Sequence, residues 1–282
     1  MNILTFDIED WFHILNNGST RWPSQWSNFE SRLEKNFDLI MNLLDDNNTK
    51  ATFFILGWIA EKYPSIVKQI DKRGYQIGSH TYSHQLIYNQ SKNDFYNDVE
   101  KSIKILEDIS AKKVTMFRAP GFSIKHSNTW AFEILYDLGI RIDSSIFPSY
   151  REHGGFSNFS LRVPTIINYH GKKIKEFPIN NYNFFSYPFV FSGGGFFRLF
   201  PYQIIDFMTK NSKYVMSYFH PRDFDYNQPR LKGLSKFKSF KTNVGLKNCY
   251  SKLNRWISTY DFIDISEAEK SIDWKKVNSV SL

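Results

Sequence analysis

The sequence predicts an α/β protein whose strands form a mostly parallel sheet, either open or closed. First, short apolar runs alternate with helical patterns along the chain, as in repeated strand–helix units. Second, 41% of the 282 residues are hydrophobic, and no linker rich in proline, glycine or serine divides them. Third, ionisable residues directly follow several of the apolar runs. We therefore expect one domain over residues 1–282 with a sizeable core.

The elements of the first half follow from periodicity and from helix-ending glycines. Short apolar runs predict buried strands, and apolar residues three and four positions apart predict helices packed on a core. Gly74 and Gly139 follow two of these helices. The predicted strands are 2–6, 51–56, 75–78, 114–117 and 140–142, and the predicted helices are 28–44, 58–70, 94–109 and 128–138.

The pattern changes after residue 144. We interpret residues 145–200 as an insertion rich in aromatic residues, glycine and proline, with short strands near 160–163 and 174–177. The alternation then resumes. It predicts helices at 201–210 and 242–259 and strands at 214–219 and 261–265.

Composition and charge exclude several classes of protein. The single cysteine, Cys249, excludes an intramolecular disulfide and a thiolate zinc cluster. No apolar run reaches the roughly 18 residues of a membrane-spanning helix, and the N-terminus lacks a signal-peptide pattern, so we expect a cytoplasmic protein.

The net charge of +8 is concentrated in a basic C-terminal helical region near 230–260, which has eight lysines and arginines and no acid between 230 and 255. This region is either a solvated face or one that meets anionic lipid or phosphate, with Lys247, Lys252 and Arg255 pointing outward. A nucleic-acid ligand would not explain the groups at the strand ends, so none is expected.

Ionisable side chains follow five of the predicted strands. Because the active sites of parallel α/β folds lie at the carboxyl ends of the strands, we expect these side chains to line one cleft. They are Asp7, Glu9 and Asp10; His80 and His84; Arg118; Asp143; and His220.

The spacing of His80 and His84 indicates a metal site. On a helical turn, residues four apart face the same way, and two histidines with one carboxylate make a catalytic metal site that leaves room for water. Zinc is the default metal, and other divalent cations remain open.

Arg118 is a candidate partner for Asp7, and Asp143 for His220. A base, a metal and an acid describe metal-assisted hydrolysis. The alternatives are a surface histidine pair and a structural salt bridge.

Five segments stand in order at the ends of predicted strands. They are Thr-Phe-Asp-Ile-Glu-Asp at 5–10, His-Thr-Tyr-Ser-His at 80–84, Arg-Ala-Pro-Gly-Phe-Ser at 118–123, Asp143 and Phe-His-Pro at 219–221. Together they resemble the motifs of NodB-type polysaccharide deacetylases, carbohydrate esterase family 4. Two further segments, Ser-Gly-Gly-Gly-Phe-Phe-Arg at 192–198 and Val-Gly-Leu-Lys-Asn-Cys at 244–249, resemble a subgroup associated with exopolysaccharide, capsule or O-antigen synthesis. The resemblance implies a distorted (β/α) barrel of about seven strands and a metal-dependent N-deacetylase that releases acetate from an N-acetylated sugar.

The resemblance also implies roles for single residues. Asp7 would be the general base oriented by Arg118, and His220 the general acid tuned by Asp143. The first motif departs from the family's two adjacent aspartates. On an extended strand Glu9 lies on the same side as Asp7, so Glu9 is the preferred third metal ligand beside His80 and His84, with Asp10 as the alternative. The residues expected to contact substrate are Pro120, Gly121 and Arg198.

The expected location shapes the expected substrate. A cytoplasmic deacetylase, peripheral at the inner membrane face, would act on a nucleotide-linked or lipid-linked precursor. Both carry pyrophosphate, which the basic region would favour. The aromatic residues of 145–200 either stack on sugar rings or fill a core. The alternatives are an amidohydrolase for a small non-sugar amide and a non-catalytic sugar-binding relative.

Overall fold

A mostly parallel sheet forms the centre of the fold. The computed structural model describes residues 1–157, 159, 161–184, 187–231 and 233–282, without the side chains of residues 183, 184, 187 and 188. Eight strands pair in the order β13-β7-β8-β6-β5-β4-β3-β2, and β7 with β8 is the antiparallel pair. The strands are β1 Asn2–Ile3, β2 Thr5–Ile8, β3 Thr52–Ile55, β4 Gln76–Ser79, β5 Met116–Phe117, β6 Ile142–Asp143, β7 Thr165–Tyr169, β8 Lys172–Glu176, β9 Tyr182–Phe184, β10 Tyr187–Phe189, β11 Val215–Met216, β12 Phe262–Ile263 and β13 Ser279–Ser281.

The N-terminal segment joins two sheets. β1 pairs in parallel with both β11 and β12, and after Leu4 the chain continues as β2 beside β3. Phe6 also forms a parallel bridge with Phe219, beyond the end of β11. All four residues of β2 are buried, as expected of a central strand covered on both faces. The parallel sheet therefore curves back on itself, and the expected distorted α/β barrel is confirmed.

Helices surround the strands. α5 shows why they form where they do: Ser91 caps its first turn by accepting from the Asp94 amide, Phe95 and Val99 lie on its buried face, and Ala111 ends it in the left-handed conformation. The helices are α1 Pro23–Trp26, α2 Leu33–Asp46, α3 Gly57–Lys62, α4 Pro64–Lys72, α5 Lys92–Ser110, α6 Ala131–Asp137, α7 Gly194–Leu199, α8 Tyr202–Lys210, α9 Lys236–Asn243, α10 Cys249–Thr259 and α11 Ile265–Ser271.

Two predicted helices are divided in the structure. The helix expected at 58–70 is α3 followed by α4, because Pro64 cannot donate to the preceding turn and begins a new helix instead. The helix expected at 242–259 is α10, separated from α9 by Gly245, whose φ of 68° is left-handed.

The segment 145–200 contributes to the sheet itself. The strand expected near 174–177 is β8, which lies beside β6. The strand expected near 160–163 is wrong at residues 161–163, which are irregular, and residue 160 lies outside the described residues. β7 instead begins at Thr165. One apolar core extends from Leu4 to Phe262 and draws on both halves of the chain.

The basic region is only partly a free surface. The Lys252 ammonium donates to the carbonyls of Phe197, Arg198 and Phe200 and so caps the end of α7, which corrects the expectation that it points outward. Lys247 is exposed. Across the part of the chain that the structure describes, no helix combines the length and apolarity that crossing a bilayer requires.

Candidate active site

Three of the five expected strand ends contribute side chains to one cleft. Asp7 and Glu9 come from the end of β2, His80 and His84 from the end of β4, and His220 from the segment after β11. These five side chains line a cavity of about 690 Å³. The parallel order of the strands places their carboxyl ends at one edge, which is why residues far apart in sequence converge here.

Three of these residues form a ligand set for a cation. The Glu9 Oε1 atom lies 3.1 Å from His80 Nε2 and 3.0 Å from His84 Nε2, and all three residues are buried. His80 Nδ1 donates to the Arg118 carbonyl at 2.7 Å, which leaves the Nε2 lone pair directed at Glu9. His84 Nε2 is buried and, although Glu9 Oε1 lies 3.0 Å away, their geometry is not that of a hydrogen bond. An orphaned nitrogen beside a second imidazole and a carboxylate fits a divalent cation.

The electrostatics of Glu9 agree with that function. Burial opposes ionisation of its carboxyl, but His84, His220 and His80 outweigh burial and hold the pKa of Glu9 well below its usual range. Glu9 is therefore an anion at neutral pH, as a metal ligand must be.

Asp10 has a different task from Glu9. Its carboxylate accepts from the Ser31 hydroxyl at 2.5 Å and from the backbone amides of Trp11 and Arg32 at 2.8 and 3.2 Å. Asp10 is also absent from the groups of side chains that could hold a metal among the described residues. It anchors the segment before α2, and Glu9 is the carboxylate that faces the histidines.

The histidine motif is a strained turn, not the helical turn that the sequence predicts. Thr81 and His84 have φ values of 67° and 53°, which are left-handed and unfavourable for residues with a Cβ. The Asp98 carboxylate, presented by α5, accepts from the amides of Tyr82 and Ser83 at 2.9 and 3.0 Å. This contact fixes the turn, and the two imidazole rings lie 5.3 Å apart.

Arg118 holds Asp7, as expected. Its Nη1 atom donates to Asp7 Oδ1 at 2.7 Å and to Thr5 Oγ1 at 2.7 Å, while Ser144 accepts from the rest of the guanidinium. Arg118 is completely buried and lies over the Phe54 ring. With its donors directed by fixed partners, it presents Asp7 to the cleft in one orientation.

His220 lies between two carboxylates of the cleft and a third behind it. Its Nε2 atom is 3.9 Å from Asp7 Oδ2 and 3.8 Å from Glu9 Oε1, and its Nδ1 atom is 3.2 Å from Asp223 Oδ2. Burial opposes protonation, but Glu9, Asp223 and Asp7 outweigh burial and raise the pKa of His220 to about 9. His220 is therefore protonated at neutral pH.

Asp143 does not hold His220, which corrects the sequence prediction. Its carboxylate accepts from the amide and the hydroxyl of Ser145 and lies beside Glu176 on the neighbouring strand. Burial raises the pKa of Asp143 and, together with the charge of Asp143, that of Glu176. Asp223 is the carboxylate that contacts the His220 ring instead.

The position of Asp223 in the sequence is itself a signal for its contact with His220. Asp223 follows His220 by three residues, and the turn Pro221–Phe224 brings its carboxylate back to the His220 amide at 2.9 Å. Burial opposes ionisation of Asp223, but Arg198 and His220 outweigh burial and lower the pKa of its carboxyl to about 2.

The three residues expected to contact substrate have different positions. Gly121 lines the cleft in a left-handed conformation, where a Cβ would meet the Leu15 side chain at 2.7 Å. Pro120 is buried and is not among the lining residues. Arg198 lines the cleft, but its guanidinium donates to the carbonyls of Lys241 and Thr242 and faces Asp223 Oδ1 at 3.3 Å. Arg198 therefore supports Asp223.

Comparison with known families agrees with the motifs. Residues 17–142 match the sequence model of the family described as "Polysaccharide deacetylase", and residues 144–270 match that of a "Domain of unknown function (DUF3473)". The first of these matches supports the resemblance to NodB-type polysaccharide deacetylases.

Curated relatives are similar over about a third of the chain. A peptidoglycan-N-acetylglucosamine deacetylase of Bacillus cereus is 38% identical over 95 residues, which are 33% of this chain and 34% of the relative. A chitooligosaccharide deacetylase of Azorhizobium caulinodans is 31% identical over 97 residues, 34% of this chain and 43% of the relative. A chitin deacetylase of Pestalotiopsis is 34% identical over 106 residues, 36% of this chain and 35% of the relative. The chain thus matches less than half the length of each of these relatives.

Solved structures share the fold over nearly the whole chain. The structure of a protein assigned as a polysaccharide deacetylase from Mycobacterium smegmatis aligns with a TM-score of 0.68 at 14% identity, covering 99% of this chain and 92% of that one. A Bacillus anthracis pseudoenzyme of carbohydrate esterase family 4, mutated to restore activity, aligns with a TM-score of 0.50 at 15% identity, covering 99% and 69%. At these identities the likeness concerns the fold.

Proposed function

We propose that this protein is a divalent-metal-dependent carbohydrate N-deacetylase that hydrolyses the acetamido group of an N-acetylated sugar. The observation that carries the proposal is that Asp7 and His220 lie next to the candidate metal ligands, which are Glu9, His80 and His84. An acid, a base and a cation site within one buried cleft are the parts that metal-assisted amide hydrolysis requires.

The first half of the reaction needs a base and an electrophile. Glu9, His80 and His84 would hold a divalent cation, with zinc the first choice for this donor set, and the bound cation would supply the Lewis acid for the acetyl carbonyl. Asp7 accepts the proton of the attacking water. The guanidinium of Arg118 occupies Asp7 Oδ1 at 2.7 Å, so the other oxygen, Oδ2, is the one free to take the proton.

The second half needs an acid, because an amine leaves poorly unless it is protonated. His220 carries its proton at neutral pH and gives it to the departing nitrogen from Nε2. Asp223 accepts from Nδ1 and keeps the ring oriented while the charge changes. The products are acetate and a sugar with a free amino group.

The walls of the cleft suit a sugar with an anionic neighbour. The almost fully buried rings of Phe122, Phe147 and Tyr218 form part of the wall, and Arg151, which lies over the Phe147 ring, adds a positive charge. We place the reaction in the synthesis of a bacterial surface polysaccharide, on a precursor that carries pyrophosphate and is linked to a nucleotide or a lipid.

The exposed side chains of helix α9 favour a precursor that is linked to a membrane lipid. Phe237 and Phe240 lie at the mouth of the cleft, are 71% and 57% exposed, and are flanked by the exposed Lys236 and Lys241. Aromatic and basic side chains on one short helix are typical of contact with an anionic bilayer surface.

An acetate-release screen tests the proposed activity. Purified protein loaded with zinc or another divalent metal is incubated with N-acetylated saccharides, and acetate and free amine are both quantified. We expect equal amounts of acetate and amine from at least one sugar and none after chelation. No acetate from any sugar, together with hydrolysis of a small non-sugar amide, would instead indicate an amidohydrolase, and sugar binding without any product would indicate a sugar-binding protein.

A further inference from the structure

Three basic side chains lie close together on the wall of the cleft. They are Arg151, from the segment after β6, and Lys238 and Lys241, from α9. The acid beside them is Glu152, whose Oε2 atom lies 3.3 Å from the Lys241 ammonium. One carboxylate cannot balance three cations, so this part of the wall carries an excess of two positive charges.

Two of these cations are held in place without being neutralised. The Lys238 ammonium donates to the Leu15 carbonyl at 2.6 Å. The Arg151 Nη2 atom donates to the Tyr218 hydroxyl at 3.2 Å, and the guanidinium lies 4.4 Å from the centre of the Phe147 ring. Neither Lys238 nor Arg151 has a carboxylate at ion-pair distance within the part of the chain that the structure describes. Oriented cations without a counter-ion make a site that an anion completes.

The neighbouring His153 shows that these charges act on one place. Burial and the three basic charges together lower the pKa of His153 to about 4, against the opposing charge of Glu152. His153 is therefore neutral at neutral pH and leaves the excess positive charge as it is. Burial also lowers the pKa of Lys238, and the charge of Lys241 adds to this effect. An anion bound between these two lysines would stabilise both ammonium groups.

The kind and number of these groups indicate the chemical class of the anion. A guanidinium binds phosphate oxygens in pairs, and an ammonium binds them as a point charge. An excess of two positive charges matches a pyrophosphate diester, which carries one negative charge on each phosphate. The three bases and the candidate metal ligands line the same cavity of about 690 Å³, so one ligand can reach both.

We propose that Arg151, Lys238 and Lys241 form a pyrophosphate-binding site, which holds the substrate while the acetamido group of its sugar lies at the candidate metal site. This inference rests on the proposed deacetylase function and assigns the residues that recognise its substrate class, a sugar joined to its carrier through pyrophosphate. The carrier is a nucleotide or a lipid. The two share this chemistry, and the test separates them.

The test measures equilibrium binding to the metal-loaded protein with Asp7→Asn, which stops turnover. The probes are UDP-N-acetylglucosamine, N-acetylglucosaminyl pyrophosphoryl farnesol and, as the neutral reference, N-acetylglucosamine. Lys238→Gln and Arg151→Gln each remove one positive charge from the proposed site and keep a side chain that can donate a hydrogen bond. Lys213→Gln makes the same change at an exposed position outside the cleft and is the matched control.

We expect both pyrophosphate probes to bind more tightly than N-acetylglucosamine, and the probe with the higher affinity identifies the carrier. Lys238→Gln and Arg151→Gln should each weaken pyrophosphate-probe binding about tenfold, whereas Lys213→Gln should leave it unchanged. Added salt should weaken it as well.

Pyrophosphate probes that bind no better than N-acetylglucosamine, or that bind equally well to Lys238→Gln and Arg151→Gln, would overturn this inference. An equal loss for the neutral sugar would do the same, because it would indicate a damaged cleft. The proposed function is tested separately: absence of acetate release from every N-acetylated sugar by the unmutated protein would overturn it, and the binding result would still decide the pyrophosphate site.

Discussion

Replacing Asp223 by asparagine tests which carboxylate, Asp223 or Asp143, orients the proposed general acid His220. The asparagine has nearly the same shape and can still accept a hydrogen bond from His220 Nδ1, which lies 3.2 Å from Asp223 Oδ2. It removes the negative charge. The sequence assigns the orienting role to Asp143, whereas the structure places Asp223 against the ring, so the matched variant is Asp143→Asn.

The size of the effect follows from the surroundings of His220. Its pKa of about 9, against an ordinary 6.5, corresponds to about 3 kcal/mol in favour of the protonated ring. Burial opposes this shift, and Glu9, Asp223 and Asp7 share it. Of these three carboxylates, Asp223 lies nearest to His220. Its ion pair with Arg198 at 3.3 Å offsets part of the stabilisation that it gives to the protonated ring. We assign Asp223 one third to one half of the shift in the pKa of His220. That is about 1–1.5 kcal/mol, or roughly one unit of that pKa.

The sign of the pH effect is fixed by the role of the group. A general acid must be protonated, so activity is lost as pH rises through the pKa of His220. With Asp223→Asn that pKa falls toward its ordinary value, and the alkaline limb of the kcat profile moves down by about one pH unit.

The assay is acetate release from an N-acetylated sugar between pH 6 and 10, with both variants checked for folding. Asp143→Asn should destabilise the fold but leave the alkaline limb in place, because Asp143 contacts Ser145 and not His220. An alkaline limb of the kcat profile that moves in Asp143→Asn and stays in place in Asp223→Asn would refute the assignment of Asp223 as the partner of His220.

Four further predictions concern other parts of the site. Asp7→Asn should abolish acetate release but retain one bound metal after desalting; loss of the metal would make Asp7 a ligand. His220→Ala should slow amide cleavage about 10²–10⁴-fold more than cleavage of an activated phenyl ester, which needs no acid; equal losses would indicate another role. Glu9→Gln should weaken metal affinity by more than the 10- to 100-fold typical of outer-shell changes, whereas Asp10→Asn should keep the affinity and lower Tm by about 2 °C. Phe237→Ser should weaken binding to vesicles of anionic lipid in flotation assays, and unchanged binding would remove the membrane argument.

Local patterns in the sequence predicted most of what positions the site. The alternation of apolar runs gives the parallel sheet, and the two-residue period of an extended strand places Glu9 on the same side as Asp7. These inferences need only near neighbours and the strand-end rule.

Contacts across the fold could not be predicted in the same way. Arg198 was expected to contact substrate, but α9 packs close enough for its guanidinium to donate to the carbonyls of Lys241 and Thr242, which no local pattern reveals. Likewise, the left-handed Thr81 depends on Asp98 of α5, sixteen residues beyond Tyr82. Asp223 is different, because its position three residues after His220 was visible in the sequence.

A metal titration of the metal-free protein tests the central claim most directly. Zinc is added in fractions of an equivalent while acetate release from an N-acetylated saccharide is measured, with His80→Ala as the matched variant. Acetate release should rise in proportion to added metal and level off at one equivalent, and His80→Ala should require far more metal. Full activity in the chelated protein, or no response to any divalent metal, would contradict the assignment of Glu9, His80 and His84 as its metal site.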